Sequence, residues 1–336
     1  KVETQSILCE GHMKKIFLAT TALTALSVAG AANAAEWSAG IGGYMQIGVA
    51  FDGTDSVDGI GILRDGEIHA KAKMVADNGL TFDARVEFEA TSQASDGDDI
   101  DENWARVSGS FGSIKVGGDD SAKNAYNNGV IYSPGARVGY YDAFGLVAGS
   151  KQAGVAGSGD DVGIHYDSPN WMGFSFGASY IPDRTADNNG EDSGVPVFES
   201  NSTGDEFWSV GAAYSGSFND VGVGISAAIG DAKNQDATWH IAGNVSFSGF
   251  TVAGGYEENS NNNDEFYIGA RYSMGPWTIA GGYSQADGSS EDTEVIAGWV
   301  TYAVAPGVTG NVGIVHEDSD GVDSEMAGLA WMTMSF

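Results

Sequence analysis

Three observations predict an all-β chain closed as a 16-stranded antiparallel transmembrane β-barrel. Apolar and polar residues alternate with a period of two through most of the chain after residue 35. The connectors between these segments are alternately short and long, as in barrels whose strands run up and down through a membrane. No later run approaches the roughly 18 consecutive apolar residues of a membrane helix, although the chain carries an export leader.

Composition narrows the alternatives. The 336 residues include 50 Gly, six Pro and one Cys, with 46 acidic residues against 15 basic ones and a net charge of −31. Such a balance excludes a nucleic-acid binder, which neutralises phosphates with clustered Lys and Arg. A hydrophobic content of 42% is too high for a chain that stays disordered because it cannot bury surface.

The leader comes first. Residues 1–12 fit nothing that follows and read as upstream residues of no clear role. Within 13–34, Met13, Lys14 and Lys15 form a positive start, an apolar stretch follows, and Ala32 and Ala34 supply the small residues of a cleavage site. Cleavage after Ala34 removes three Lys and two Glu, taking the charge to −32, and also removes Cys9, the single cysteine. The remaining domain, 35–336, therefore relies on neither disulfides nor thiolate metal sites.

Strands then follow at regular intervals. In the clearest, Leu80, Phe82, Ala84, Val86 and Phe88 take one face while Thr81, Asp83, Arg85, Glu87 and Glu89 take the other. Upstream, Ile68, Ala70, Ala72 and Met74 oppose Glu67, His69, Lys71 and Lys73. Short turns are expected at 78–79, 108–112, 168–173, 215–220, 246–249, 273–276 and 305–307. Long polar loops are expected at 52–65, 91–102, 119–159, 182–204, 231–236, 257–264, 286–292 and 317–324. Seven turns and eight loops join sixteen strands, leaving both chain ends on the short-turn side. Three related segments, starting at Phe174, Phe250 and Trp277, each leave a short turn and end on Tyr180, Tyr256 or Tyr283. Six strand steps rise less than the apolar band of about 25 Å, so these tyrosines cannot all form an outer girdle. Packing against a neighbouring subunit is an equally good reading.

Acid gathers in the long loops: segments 96–102, 183–206 and 317–325 carry 17 acidic residues and one Arg. Asp96, Asp98, Asp99 and Asp101 invite weak calcium binding, because calcium takes carboxylate oxygens. The run misses the EF-hand pattern, since Ile100 stands where a ligand belongs. A solvated acidic loop and a divalent bridge to other loops or to lipopolysaccharide both fit it. No other cofactor is expected.

The hairpin holding Ser108, Gly109, Phe111, Gly112 and Gly117 has the pattern Ser-Gly-x-Phe-Gly-x-apolar-x-apolar-Gly and leads into the longest loop. It resembles the alphaproteobacterial general diffusion porins of the Rhodobacter type, from the Gram-negative outer membrane. The leader, the sixteen-strand rhythm and the terminal Phe336 extend the resemblance along the chain. It implies a homotrimer in outer-membrane lipid and lipopolysaccharide, passing small hydrophilic solutes and ions, with the third loop folded into each pore. Phe336 resembles the signal read by the barrel-assembly machinery.

In that family the third loop carries acids facing a basic wall. Here Lys71, Lys73, Arg85, Arg106 and Lys115 occupy wall positions, with Asp83 and Glu87 among the carboxylates beside them. The loop at 119–159 offers Asp119, Asp120 and Asp142 but also Lys123, Arg137 and Lys151, so its net charge is zero. Tyr140 and Tyr141 belong to the same constriction loop and read as loop packing or as a slide for solutes. An acidic mouth and wall imply a preference for cations.

Two other classes are weighed against this one. A secreted acidic calcium-binding β-protein or adhesin fits the acid and glycine, but the short repeat of such solenoids is absent. A barrel-borne hydrolase would use Ser175 within the run 173–177, yet that serine lies in an alternating strand and not on a strand-to-helix turn. His69, His165, His240 and His316 fall on separate strands without metal-ligand spacing. The expectation is a channel and no enzyme.

Overall fold

The computed structural model describes residues 36–54, 57–90, 100–127, 131–133, 136–138, 161–184, 196–199, 202–203, 205–259, 263–287, 292–321 and 324–336. The chain runs through β1 (Ser38–Thr54), β2 (Val57–Val75), β3 (Thr81–Glu89), β4 (Ile100–Gly109) and β5 (Gly112–Gly118). A short helix α1 (Ala122–Ala125) and a small hairpin, β6 (Ile131–Ser133) and β7 (Ala136–Val138), come next. The chain continues as β8 (Val162–Asp167), β9 (Phe174–Ile181), β10 (Phe207–Phe218), β11 (Val221–Ala232), β12 (Thr238–Phe247) and β13 (Phe250–Asn259). It ends with β14 (Asn263–Met274), β15 (Trp277–Asp287), β16 (Asp292–Ala305), β17 (Val308–Ser319) and β18 (Glu325–Ser335).

All strands except β6 and β7 form one closed antiparallel barrel of sixteen strands. Each pairs with its neighbours in the wall, and β1 closes the ring on β18 from Tyr44 opposite Ser335 to Asp52 opposite Ala327. Gly43 and Phe336 complete the seam by exchanging two backbone hydrogen bonds of 3.1 Å. Closure satisfies the edges that lipid could not.

The period of two sorts the side chains. On β16, Val295, Ala297, Trp299 and Thr301 are buried while Ile296, Val300 and Tyr302 are exposed on the outer face. On β10 and β11 the outward set is Val210, Ile225 and Ile229, and the inward set includes Ser209 and Ser226. Such an apolar exterior is what lipid requires. Near the short turns it carries aromatic pairs: Phe174 with Tyr214, Phe250 stacked on Tyr272 at 4.1 Å, and Trp277 with Tyr302. One sector of the inner wall is also apolar, with Trp299, Val315, Leu329 and Trp331 in a single buried cluster.

The short turns fall where their residues dictate. Ser248 and Gly249 both have positive φ, 48° and 85°, as a two-residue turn matching strand twist requires. Two loops differ from the sequence expectation. Most of 52–65 is strand, because β1 and β2 keep pairing up to Thr54 opposite Val57. The third loop is not structureless, since 119–159 contains α1 and the β6–β7 hairpin.

Candidate functional site

Register gathers the expected basic wall onto one inner face. Lys73 stands opposite Asp83, Asp83 opposite Arg106, and Arg106 opposite Lys115, a row across β2, β3, β4 and β5. Lys71 stands opposite Arg85 in the adjacent row. All five cations and both carboxylates named from the sequence share this wall.

Most of that positive charge is answered locally. Arg106 holds Asp83 with both arms of its guanidinium, Nε to Oδ1 at 3.1 Å and Nη2 to Oδ2 at 2.5 Å, a planar two-bond match. Arg85 pairs with Glu87, and Lys115 pairs with Asp119 at the start of the third loop. Lys71 and Lys73 are exposed and make no ion pair among the described residues. Trp104, whose indole donates to Glu102, carries Arg106 and Lys115 over its ring at 5.1 Å each. Sequence reading passed over Trp104, although it shares the alternating face of Arg106.

After β5 the chain enters α1, whose residues bond to strands further round the wall. The Ala122 N–H donates to Ser179 Oγ at 2.7 Å and the Lys123 N–H to Ser209 Oγ at 3.2 Å. His240 Nε2 donates to the Tyr126 carbonyl at 2.9 Å, and Tyr267 donates to Asn127 Oδ1 at 3.1 Å. These partners lie on β9, β10, β12 and β14, on the face opposite the exposed Val210, Ile241, Phe266 and Ile268. Glycine permits the approach: a Cβ on Gly211 would stand 2.6 Å from Tyr126 Cβ and 2.8 Å from the Ala122 carbonyl.

Lys123 is the deepest anchor. Its ammonium lies 2.6 Å from Glu257 Oε1, and both side chains are withdrawn from water. Glu257 faces Glu265 directly across β13 and β14, and both acids are buried. Burial pushes the Lys123 ammonium below its ordinary pKa, while Glu257 acts in the opposite sense. Tyr126 donates to Asp167 Oδ1 at 3.1 Å; its phenol is pushed upward, first by burial and then by that carboxylate. Between β5, β8 and α1 lies a cavity of about 170 Å³ lined by Lys115, Asp119, His165, Asp167 and Ser179.

The remaining expected residues are placed unevenly. Asp119 is buried against Lys115; Asp120 is exposed and accepts from Asn124. Tyr140, Tyr141, Asp142, Asp96, Asp98 and Asp99 lie outside the described residues. Asp101 is described, and its carboxylate comes within 4.8 Å of those of Glu67 and Glu89. Ser175 sits inside β9, away from any strand-to-helix turn. Phe336 is exposed at the seam. A concavity of about 770 Å³ lies outside the barrel: Ile47, Val49, Ile62, Trp277, Val300 and Val312 line it, together with Arg64. Arg64 points outward and makes no ion pair among the described residues.

Known proteins share the barrel fold. A family profile described as Gram-negative porin matches residues 19–322. An anion-selective porin from Comamonas acidovorans superposes with a TM-score of 0.66 at 12% identity, covering 90% of this chain and 100% of that one. A loop L8 deletion mutant of OmpT, an outer-membrane protein of Vibrio cholerae, gives 0.64 at 14% identity, covering 89% and 99%. A mutant of Rh. blastica porin gives 0.61 at 18% identity, covering 89% and 100%. No curated protein sequence matches the chain.

Proposed function

The chain belongs to the Gram-negative porin family, and from that premise we propose that it is a general diffusion channel passing small hydrophilic solutes and ions, with a preference for cations. The observation that carries the reading is the inner wall itself. Arg85, Arg106, Lys115 and Lys123 are each held by a carboxylate, so the surrounding acids set the sign of the lumen. The third loop, 119–159, folds into the pore and narrows it; the bonds from 122–127 to β9, β10, β12, β13 and β14 support this.

The test is a planar bilayer recording under a salt gradient. A reversal potential of the cation-selective sign is expected. An anion-selective sign overturns the preference, and absence of conductance overturns the channel.

The same proposal includes export through residues 13–34, recognition of Phe336 by the barrel-assembly machinery, and kinship in type with the Rhodobacter porins. The Ser-Gly-x-Phe-Gly hairpin at 108–112 supports that kinship. It also includes a homotrimer. Arg64 supports this, because a lone cation facing lipid at the bilayer midplane costs about 2–4 kcal/mol, a cost that contact with another subunit avoids. Weak calcium binding at the pore mouth is proposed for Asp96, Asp98, Asp99 and Asp101, supported by the approach of Asp101 to Glu67 and Glu89.

A further inference from the structure

The strand register sets His69 of β2 among carboxylates. On β2, Glu67 and His69 are two residues apart and therefore share the inner face. Across the ladder, Glu87 of β3 stands directly opposite His69. His69 Nε2 consequently lies 2.7 Å from Glu67 Oε2 and 3.1 Å from Glu87 Oε2. A single ring hydrogen cannot serve two carboxylates equally well, whereas one cation placed between the three atoms can.

Each carboxylate is also held from behind. Tyr44 donates to Glu67 Oε1 at 2.8 Å, and Arg85 pairs with Glu87 Oε1. Both acids thus have one oxygen fixed by an outer partner and the other directed at the imidazole, the arrangement that orients ligands around a metal. All three side chains are largely buried, at 13%, 12% and 4% exposure for Glu67, His69 and Glu87. Glu89 and Asp101 extend the negative surroundings, sharing Glu67 in a second group of close carboxylates.

We propose that Glu67, His69 and Glu87 form a binding site for a divalent transition-metal ion, of the Zn²⁺ class, in the wall of the lumen. One imidazole with two carboxylates suits such an ion better than calcium or magnesium, which prefer oxygen alone. Arg85 Nη2 lies 3.2 Å from His69 Nδ1, which marks Nδ1 as the acceptor and Nε2 as the protonated nitrogen when no metal is held. On metal uptake the ring proton moves from Nε2 to Nδ1, and Arg85 gives up the ring while keeping Glu87. The effect on flow rests on the channel reading above, whereas binding itself does not.

Calorimetry on the folded, EDTA-stripped barrel in detergent tests the site with Zn²⁺ as the probe. One equivalent per chain is expected, lost in His69→Ala and retained in His316→Ala. Tyr44→Phe is expected to weaken binding about 10-fold or more, as loss of an outer partner does. Heat-dependent gel mobility checks that each barrel is folded; should His69→Ala fail that check, Tyr44→Phe and Glu87→Gln decide. Absence of Zn²⁺ binding, equal binding by folded His69→Ala, or equal binding of Ca²⁺ overturns the proposal. In bilayers, micromolar Zn²⁺ is expected to reduce the conductance of the parent protein and to leave that of His69→Ala unchanged. A barrel that binds Zn²⁺ yet never conducts would overturn the channel reading and leave the metal site standing.

Discussion

Lys123 and Glu257 are 134 residues apart in the chain, yet they meet at 2.6 Å with side-chain exposures of 0% and 1%. Taking two charges out of water is costly, and removing one partner of a buried pair typically costs about 3–5 kcal/mol. Here the pair ties α1 to β13, so the loss falls on loop attachment more than on the barrel. Glu257→Gln should give higher and noisier single-channel conductance with unchanged gel mobility. Lys123→Met should do more damage, because it leaves the buried Glu257 carboxylate, which faces Glu265, without its cation. Equal effects would contradict the offsetting role of Lys123.

Gly211 tests the same attachment without touching charge. A valine there places carbon within about 3 Å of Tyr126 and of the Ala122 carbonyl, where backbone has little room to yield. Gly211→Val should therefore reproduce the conductance phenotype of Glu257→Gln, and Gly281→Val, whose Cβ meets its nearest atom at 3.3 Å, should be milder.

Alkaline pH offers a third handle. The Tyr126 phenol is held above its ordinary value of 10.0 by burial and by Asp167. A group raised in the folded state contributes stability that is complete below its unfolded pKa and declines as pH rises toward the folded one. The attachment of α1 should thus be constant up to about pH 10 and weaken beyond it. Conductance followed from pH 8 to pH 12 should show this rise, and Tyr126→Phe should flatten it.

Lys71 and Lys73 are the wall cations without an ion pair among the described residues, and so the ones whose charge is felt by passing ions. Reversing both, as Lys71→Glu with Lys73→Glu, should move the reversal potential in the direction of cation selectivity. Arg106→Gln, which also frees Asp83, should move it less than the double reversal.

The sequence made some of this legible for definite reasons. The turn at 78–79 carries Asn and Gly, and the β2–β3 ladder is mirrored about Asn78: Lys71 faces Arg85, and His69 faces Glu87. A turn centre and a period of two therefore suffice to collect the basic wall. The same arithmetic places His69 between acids, a neighbourhood hidden while histidines were judged by spacing along one strand. Lys123 was visible as a loop cation, but its partner Glu257 is 134 residues away, a pairing that no local pattern encodes. The apolar inner sector around Trp299 and Trp331 was hidden for a related reason: alternation tells which residues share a face, not which face meets water.

The seam between Gly43 and Phe336 has a consequence for how the molecule is made. β1 waits for a partner at the far end of the barrel's strand order, so the ring closes through contacts of great sequence separation, and contacts of that kind are slow to form. Until they form, β1 and β18 are open edges able to pair with any other chain. Assembly is therefore at greatest risk of aggregation just before completion, and truncating the last strand should trap aggregation-prone chains while leaving the other hairpins intact.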